Sequence, residues 1–158
     1  RSCSATSRMS AAEASASGSV AETEALAADL AAQLAPGDVV HVCGEIGAGK
    51  TTFIRGACRA LGFGGPVTSP SYTLCNRYED GSVPISHLDC QRLEETSGEE
   101  AGLLDDEIGP ERITFIEWPQ RSAESLGAVA AVPATVLIEL RHQGPDQRIL
   151  SIERLGQR

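Results

Sequence analysis

The sequence predicts an α/β fold of three layers, with a mixed, mainly parallel sheet and a C-terminal β-hairpin. Three observations carry this. A capped amphipathic helix leads into a short apolar strand. A glycine-rich loop joins that strand to a second helix. The remainder reads mostly as short strands, the last two flanking a polar turn.

The ordered domain is expected over residues 19–158. Residues 1–18 are rich in Ser and Ala, with Arg1, Arg8 and a single acid, Glu13. They read as a disordered leader, as sequence upstream of a start at Met9, or as the remnant of an organelle transit peptide. In "SVAE", Ser19 can cap a helix and Glu22 can reach back to its start. Leu26, Leu30 and Leu34 follow at i+4 spacing beside Ala27 and Ala31, an apolar face that ends before "PGD". "DVVHVC" is a strand, apolar enough for a sheet covered on both faces.

After the loop, Phe53, Ile54, Ala57, Cys58 and Leu61 share one helical face, with Arg55 and Arg59 elsewhere and Gly62 as a stop. "TSPSYTL" is a loop around Pro70 leading into an extended run. "VPISHLD" and "RITFIEW" are strand-like, separated by an acidic segment, Glu94 to Glu107, that has no basic residue. "TVLIEL" and "RILSIERL" flank "RHQGPDQ" as a hairpin.

A chain of 158 residues with 41% hydrophobic content forms one domain with a core of its own. No apolar run approaches the roughly 18–20 residues that span a bilayer, so no membrane partner is expected. The formal charge of −9 gives an overall field that does not attract a phosphate backbone. Contacts to nucleic acid are then left to a local patch or a partner. Cys3, Cys43, Cys58, Cys75 and Cys90 are odd in number and include no C-x-x-C pair. Reduced thiols fit better than a zinc site or a disulfide framework, which implies the cytoplasm. The transit-peptide reading implies the plastid or mitochondrial interior instead.

The loop "GEIGAGKTT" meets every fixed position of G-x-x-x-x-G-K-[ST], from Gly44 to Gly49, Lys50 and Thr51. Lys50 is the only lysine in the chain. Gly44, Gly47 and Gly49 let successive N–H groups point at phosphate oxygens, and the helix start adds partial positive charge. A flexible ammonium can fold over such a loop where a wider guanidinium clashes. Thr51 is placed to offer its hydroxyl to Mg²⁺. The strand–loop–helix context makes the fold P-loop NTPase-like.

A Mg²⁺–nucleotide site also needs a carboxylate at the end of a neighbouring strand. Asp89 closes "ISHLD" and Glu117 closes "ITFIE". "DEIG" fits a short D-x-x-G pattern, but no N-K-x-D guanine-reading motif exists, so ATP is the expected nucleotide.

Four stretches in order, "GEIGAGKTT", "SPSYTL", "HLDCQRL" and "IEWP", resemble the TsaE (YjeE) family, small P-loop ATPases of tRNA threonylcarbamoyladenosine synthesis. The family pattern is G-D-L-G-A-G-K-T-T, S-P-T-[YF]-T-L, H-x-D-x-Y-R-L and E-W, and the likeness spans Ser19 to Arg154. It implies that Gly47, Ala48, Gly49, Lys50, Thr51 and Thr52 bind the ATP phosphates. Thr51 and Glu117 would serve Mg²⁺. Asp89 would coordinate metal through water or place the attacking water. Thr73 would sit in a nucleotide-sensing loop and Trp118 near the nucleotide. Thr23 would border the adenine, with Arg148 approaching the same side. The resemblance further implies weak ATPase activity raised by partners, the TsaD–TsaB pair, for which such proteins act as a motor rather than as the transferase. tRNA would be met only through that complex. One position departs from the pattern: Gln91 stands where the family usually has Tyr. The competing readings are a small-molecule kinase, whose Arg-rich lid has no counterpart in residues 94–107, and a nucleotide-sensing adaptor without hydrolysis.

Overall fold

A computed structural model of the chain describes residues 12–70, 73–91, 106–118 and 133–155. Its elements are β1 (Glu13–Ser17), α1 (Val20–Ala31), β2 (Val39–Gly44), α2 (Lys50–Ala60), β3 (Cys75–Tyr78), β4 (Ile85–Asp89), β5 (Ile113–Glu117), β6 (Val136–His142) and β7 (Arg148–Arg154). All seven strands form one sheet in the order β1-β7-β6-β2-β5-β4-β3. The four central strands, β6, β2, β5 and β4, run parallel. The pairings of β1 with β7, β6 with β7 and β3 with β4 are antiparallel. The sheet is mixed as expected, with its parallel part in the middle, and β6–β7 is the expected hairpin.

Order begins earlier than the helix at Ser19. β1 pairs with β7 from Glu13↔Ile152 to Ser17↔Arg148. Its sequence, EASAS, has little strand propensity of its own. The open edge of β7 supplies the hydrogen-bonding partners, so tertiary pairing decides the conformation.

Helix α1 starts as its capping residues predict. Ser19 is extended (φ −154°, ψ 164°), and its Oγ accepts from the N–H of Glu22 at 3.2 Å. Glu22 Oε2 accepts in return from the N–H of Gly18 at 2.6 Å, one residue before the usual position. Ala27, Leu30 and Ala31 are buried, while Leu26 and Leu34 pack at the margin of the core.

Both helices share one face of the sheet, packed on Val40, Val42, Phe115, Ile138 and Leu140. Complete burial of such a side chain contributes about 1.5–3 kcal/mol. Val39, Leu88, Cys90 and Ile116 form a second cluster on the opposite face. The covering layer expected there lies outside the described residues, as does most of the acidic segment. Glu107, its last residue, accepts from Arg77 through both carboxylate oxygens, at 2.6 and 2.7 Å. Among the described residues, no helix is long and apolar enough to cross a membrane.

Candidate functional site

Because β2, β4, β5 and β6 are parallel, their C-terminal ends meet at one edge of the sheet. That edge carries the glycine-rich loop after β2, Asp89 at the end of β4 and Glu117 at the end of β5. Alternation along the strands decides which residues face the loop. Asp89 is in phase with Ile85, and Glu117 with Ile113 and Phe115, all on the helix-covered face. Asp89 and Glu117 are direct register partners.

A cavity of about 330 Å³ opens at this edge. The loop and α2 line it with Gly47, Gly49, Lys50, Thr51 and Thr52. The other strands contribute Asp89, Glu117, Trp118 and Arg148. These nine are predicted site residues that the fold brings together.

The N-terminus of α2 opens onto the cavity. Its cap, Gly49, has φ 102°, a left-handed conformation that side chains rarely adopt. A Cβ there would also lie 3.4 Å from Arg148 Nε. Lys50 is only 6% exposed. Its Nζ donates to the carbonyls of Gly44 (2.8 Å) and Glu45 (2.9 Å) and lies 4.0 Å from the centre of the Trp118 ring. Burial pulls the Lys50 pKa below its ordinary value, while Glu117 and Asp89 oppose that shift. Trp118 itself is left-handed (φ 56°), a conformation that costs a bulky residue on the order of 1–3 kcal/mol.

The two carboxylates are held differently. Asp89 Oδ2 accepts from Ser69 Oγ at 2.6 Å, and Oδ1 accepts from the backbone N–H of Gln91 at 2.9 Å. Glu117 Oε1 accepts from the Thr51 hydroxyl at 3.1 Å and lies 2.8 Å from His87 Nε2. The hydroxyl and carboxylate oxygens are hard donors suited to Mg²⁺. Among the described residues, no group of three or more His, Cys, Asp or Glu could hold a metal by itself. Mg²⁺ commonly uses one or two carboxylates together with phosphate oxygens and water. Thr51 and Glu117 would hold it, with Asp89 beside them.

Four predicted residues lie elsewhere. Gly44 lines a neighbouring cavity with Cys43 and Glu139, and serves the site through the carbonyl that holds Lys50. Ala48 is fully buried; its N–H donates to Glu45 O, and its carbonyl accepts from Arg148 Nε at 2.9 Å. Thr23 is 2% exposed, its hydroxyl 2.7 Å from Ser17 Oγ and donating to Ser19 O at 3.2 Å. It closes the β1–α1 junction instead of bordering the cavity. Thr73 is exposed and donates to Cys75 O at 3.1 Å, away from the lining.

Sequence reasoning missed Ser69, Ile46 and His87. Ser69 and Ile46 line the cavity, as does Gln91, noted only as a departure from the family. Ser69 opens the quoted "SPSYTL", and the spacing of His87 to Asp89 puts both on one face of β4. That period-two signal was available.

The model of the family described as "Threonylcarbamoyl adenosine biosynthesis protein TsaE" matches residues 17–150. The chain belongs to the TsaE family. TsaE relatives named "tRNA threonylcarbamoyladenosine biosynthesis protein TsaE" include one from Bacillus subtilis (strain 168), 35% identical over 137 residues, 87% of this chain and 82% of that protein. The TsaE protein of Synechocystis is 39% identical over 95 residues, 58% of this chain and 60% of its own length. The crystal structure of Bacillus subtilis YdiB superposes with a TM-score of 0.71 at 29% identity, covering 92% of this chain and 87% of that one.

Proposed function

We propose that the chain binds and hydrolyses ATP in the threonylcarbamoyl modification of tRNA adenosine, as a motor for the TsaD–TsaB pair and not as the transferase. One observation carries the reading: Lys50, Thr51, Asp89 and Glu117 converge on one cavity at the N-terminus of a helix. The family's name supplies the pathway.

In this reading the loop N–H groups and the α2 N-terminus receive the phosphates. Lys50 exchanges the carbonyls of Gly44 and Glu45 for the β- and γ-phosphate oxygens. Asp89 accepts a hydrogen bond from the attacking water, its orientation held by Ser69. Thr51 and Glu117 would hold Mg²⁺, which would supply neutralising charge at the phosphates. Arg148 stands beside the loop, its Nε already committed to Ala48 O.

The net charge of −9 suits a subunit whose partners carry the RNA contacts. Cys43, Cys58 and Cys75 carry thiols and not disulfides, consistent with a reducing interior, the cytoplasm or its organellar equivalent. The test is ATP turnover by the chain alone, then with TsaD and TsaB, across a salt series. Slow basal turnover stimulated by both partners is expected. An electrostatically docked complex loses stimulation as salt shortens the Debye length below about 10 Å. A high basal rate that partners leave unchanged would remove the motor role and favour a kinase.

A further inference from the structure

We propose that His87 is the positioning residue that sets the orientation of the Glu117 carboxylate, and that Tyr78 in turn fixes His87. The inference rests on the reading of Glu117 as a Mg²⁺ ligand and extends it one shell outward.

His87 is fully buried on β4, beneath the cavity and outside its lining. Both ring nitrogens have partners: Nε2 lies 2.8 Å from Glu117 Oε1, and Nδ1 lies 3.2 Å from Tyr78 Oη. An ionised carboxylate only accepts, so Nε2 carries the proton it donates. In the neutral ring Nδ1 then accepts from the Tyr78 hydroxyl. An imidazole bonded at both ends cannot turn without stranding two buried polar atoms.

Tyr78 is itself anchored. It is 4% exposed, its ring centre is 4.7 Å from that of Phe63, and its backbone pairs with Ile85. Its hydroxyl has one proton and two acceptors in reach, His87 Nδ1 at 3.2 Å and, farther away, Thr68 O at 3.4 Å.

At Glu117, the Thr51 hydroxyl and His87 converge on the same oxygen, Oε1. Oε2 has no hydrogen-bond donor among the described residues. Oε1 is clamped, and Oε2 is the oxygen we assign to the metal. Outer partners of this kind orient a ligand and tune its affinity, and their loss typically weakens metal binding about 10–100-fold. A histidine that only filled space would need neither match.

The experiment uses the full chain, with Trp118 as reporter because it is the only tryptophan and lines the cavity. Nucleotide affinity is measured in EDTA, then Mg²⁺ is titrated onto the nucleotide-bound protein, alongside kcat, KM and thermal melting. Tyr78→Phe deletes one oxygen and keeps the ring. His87→Leu removes both bonds, and His87→Gln restores a donor toward Glu117. Affinity in EDTA should stay within about twofold for all three. The Mg²⁺ midpoint should rise about tenfold in His87→Leu, in the range for such outer partners, and by a smaller, measurable factor in Tyr78→Phe. His87→Gln should recover most of the loss, and kcat should fall where the midpoint rises. If His87→Leu does not fold, Tyr78→Phe carries the test. A folded Tyr78→Phe with wild-type Mg²⁺ midpoint and kcat overturns the proposal. If the wild-type protein shows no Mg²⁺ response and no hydrolysis, the metal reading itself fails and the inference falls with it.

Discussion

Asp89 and Glu117 are side-by-side register partners at the ends of parallel strands β4 and β5, 7% and 3% exposed. Two buried carboxylates this close repel each other unless a cation shares the site. Lys50 lines the same cavity as both acids, and both act to raise its pKa against the effect of burial.

Removing charge while keeping shape therefore separates chemistry from binding. Asp89→Asn and Glu117→Gln should each lower ATP turnover at least about tenfold, equivalent to about 1.4 kcal/mol of barrier. Nucleotide affinity should change less. Steady-state kinetics beside titration calorimetry measures both, and normal hydrolysis by both variants would take these residues out of the mechanism.

Lys50 rests on two carbonyls and over the Trp118 ring. Phosphate oxygens should draw it off the indole, so ATP addition should change Trp118 fluorescence. Lys50→Ala should fold, bind ATP far more weakly and lose most of that change. Undiminished affinity by calorimetry would contradict the phosphate role.

Gly56 lets α1 and α2 approach closely. A Cβ at that position would stand 2.6 Å from Glu24 Cα and 2.7 Å from Glu24 O, both backbone atoms that cannot swing away. Gly56→Ala should destabilise the fold by about 1–3 kcal/mol despite the better helix propensity of alanine. The separation also serves the Arg55–Glu24 ion pair at 2.7 Å. Chemical denaturation of the two proteins settles the sign.

Burial pushes the Cys58 thiol up from 9.0 to about 12. At pH 8 its thiolate fraction is roughly a thousandfold below that of an ordinary thiol, so alkylation followed by mass spectrometry should leave Cys58 unmodified in the native protein. The linkage has a definite sign. A raised folded-state pKa contributes stability that is complete below pH 9 and is lost as pH rises toward about 12. The melting temperature of the wild type should therefore fall more steeply over that window than that of Cys58→Ala.

Much of this protein is local and so was legible in the sequence. The cap at Ser19, the loop from Gly44 to Thr51, the stop at Gly62 and the hairpin of β6 and β7 depend on short-range geometry and periodicity. Each stands where the residues predict it. The strand ends at Asp89 and Glu117 were equally readable, because an apolar run that stops at an acid marks a sheet edge.

What only the tertiary structure decided is which distant pieces meet. β1 has no strand pattern and exists because β7 offers an edge. Thr23 carries a plausible hydroxyl, yet helix packing turns it to Ser17 and away from the cavity. Strand order makes Asp89 and Glu117 neighbours, sets Ser69 against Asp89, and sets His87 behind Glu117. Pattern along a chain specifies the period and face of each element. The order and register of strands arise from contacts between residues far apart in sequence, and those contacts assemble the site.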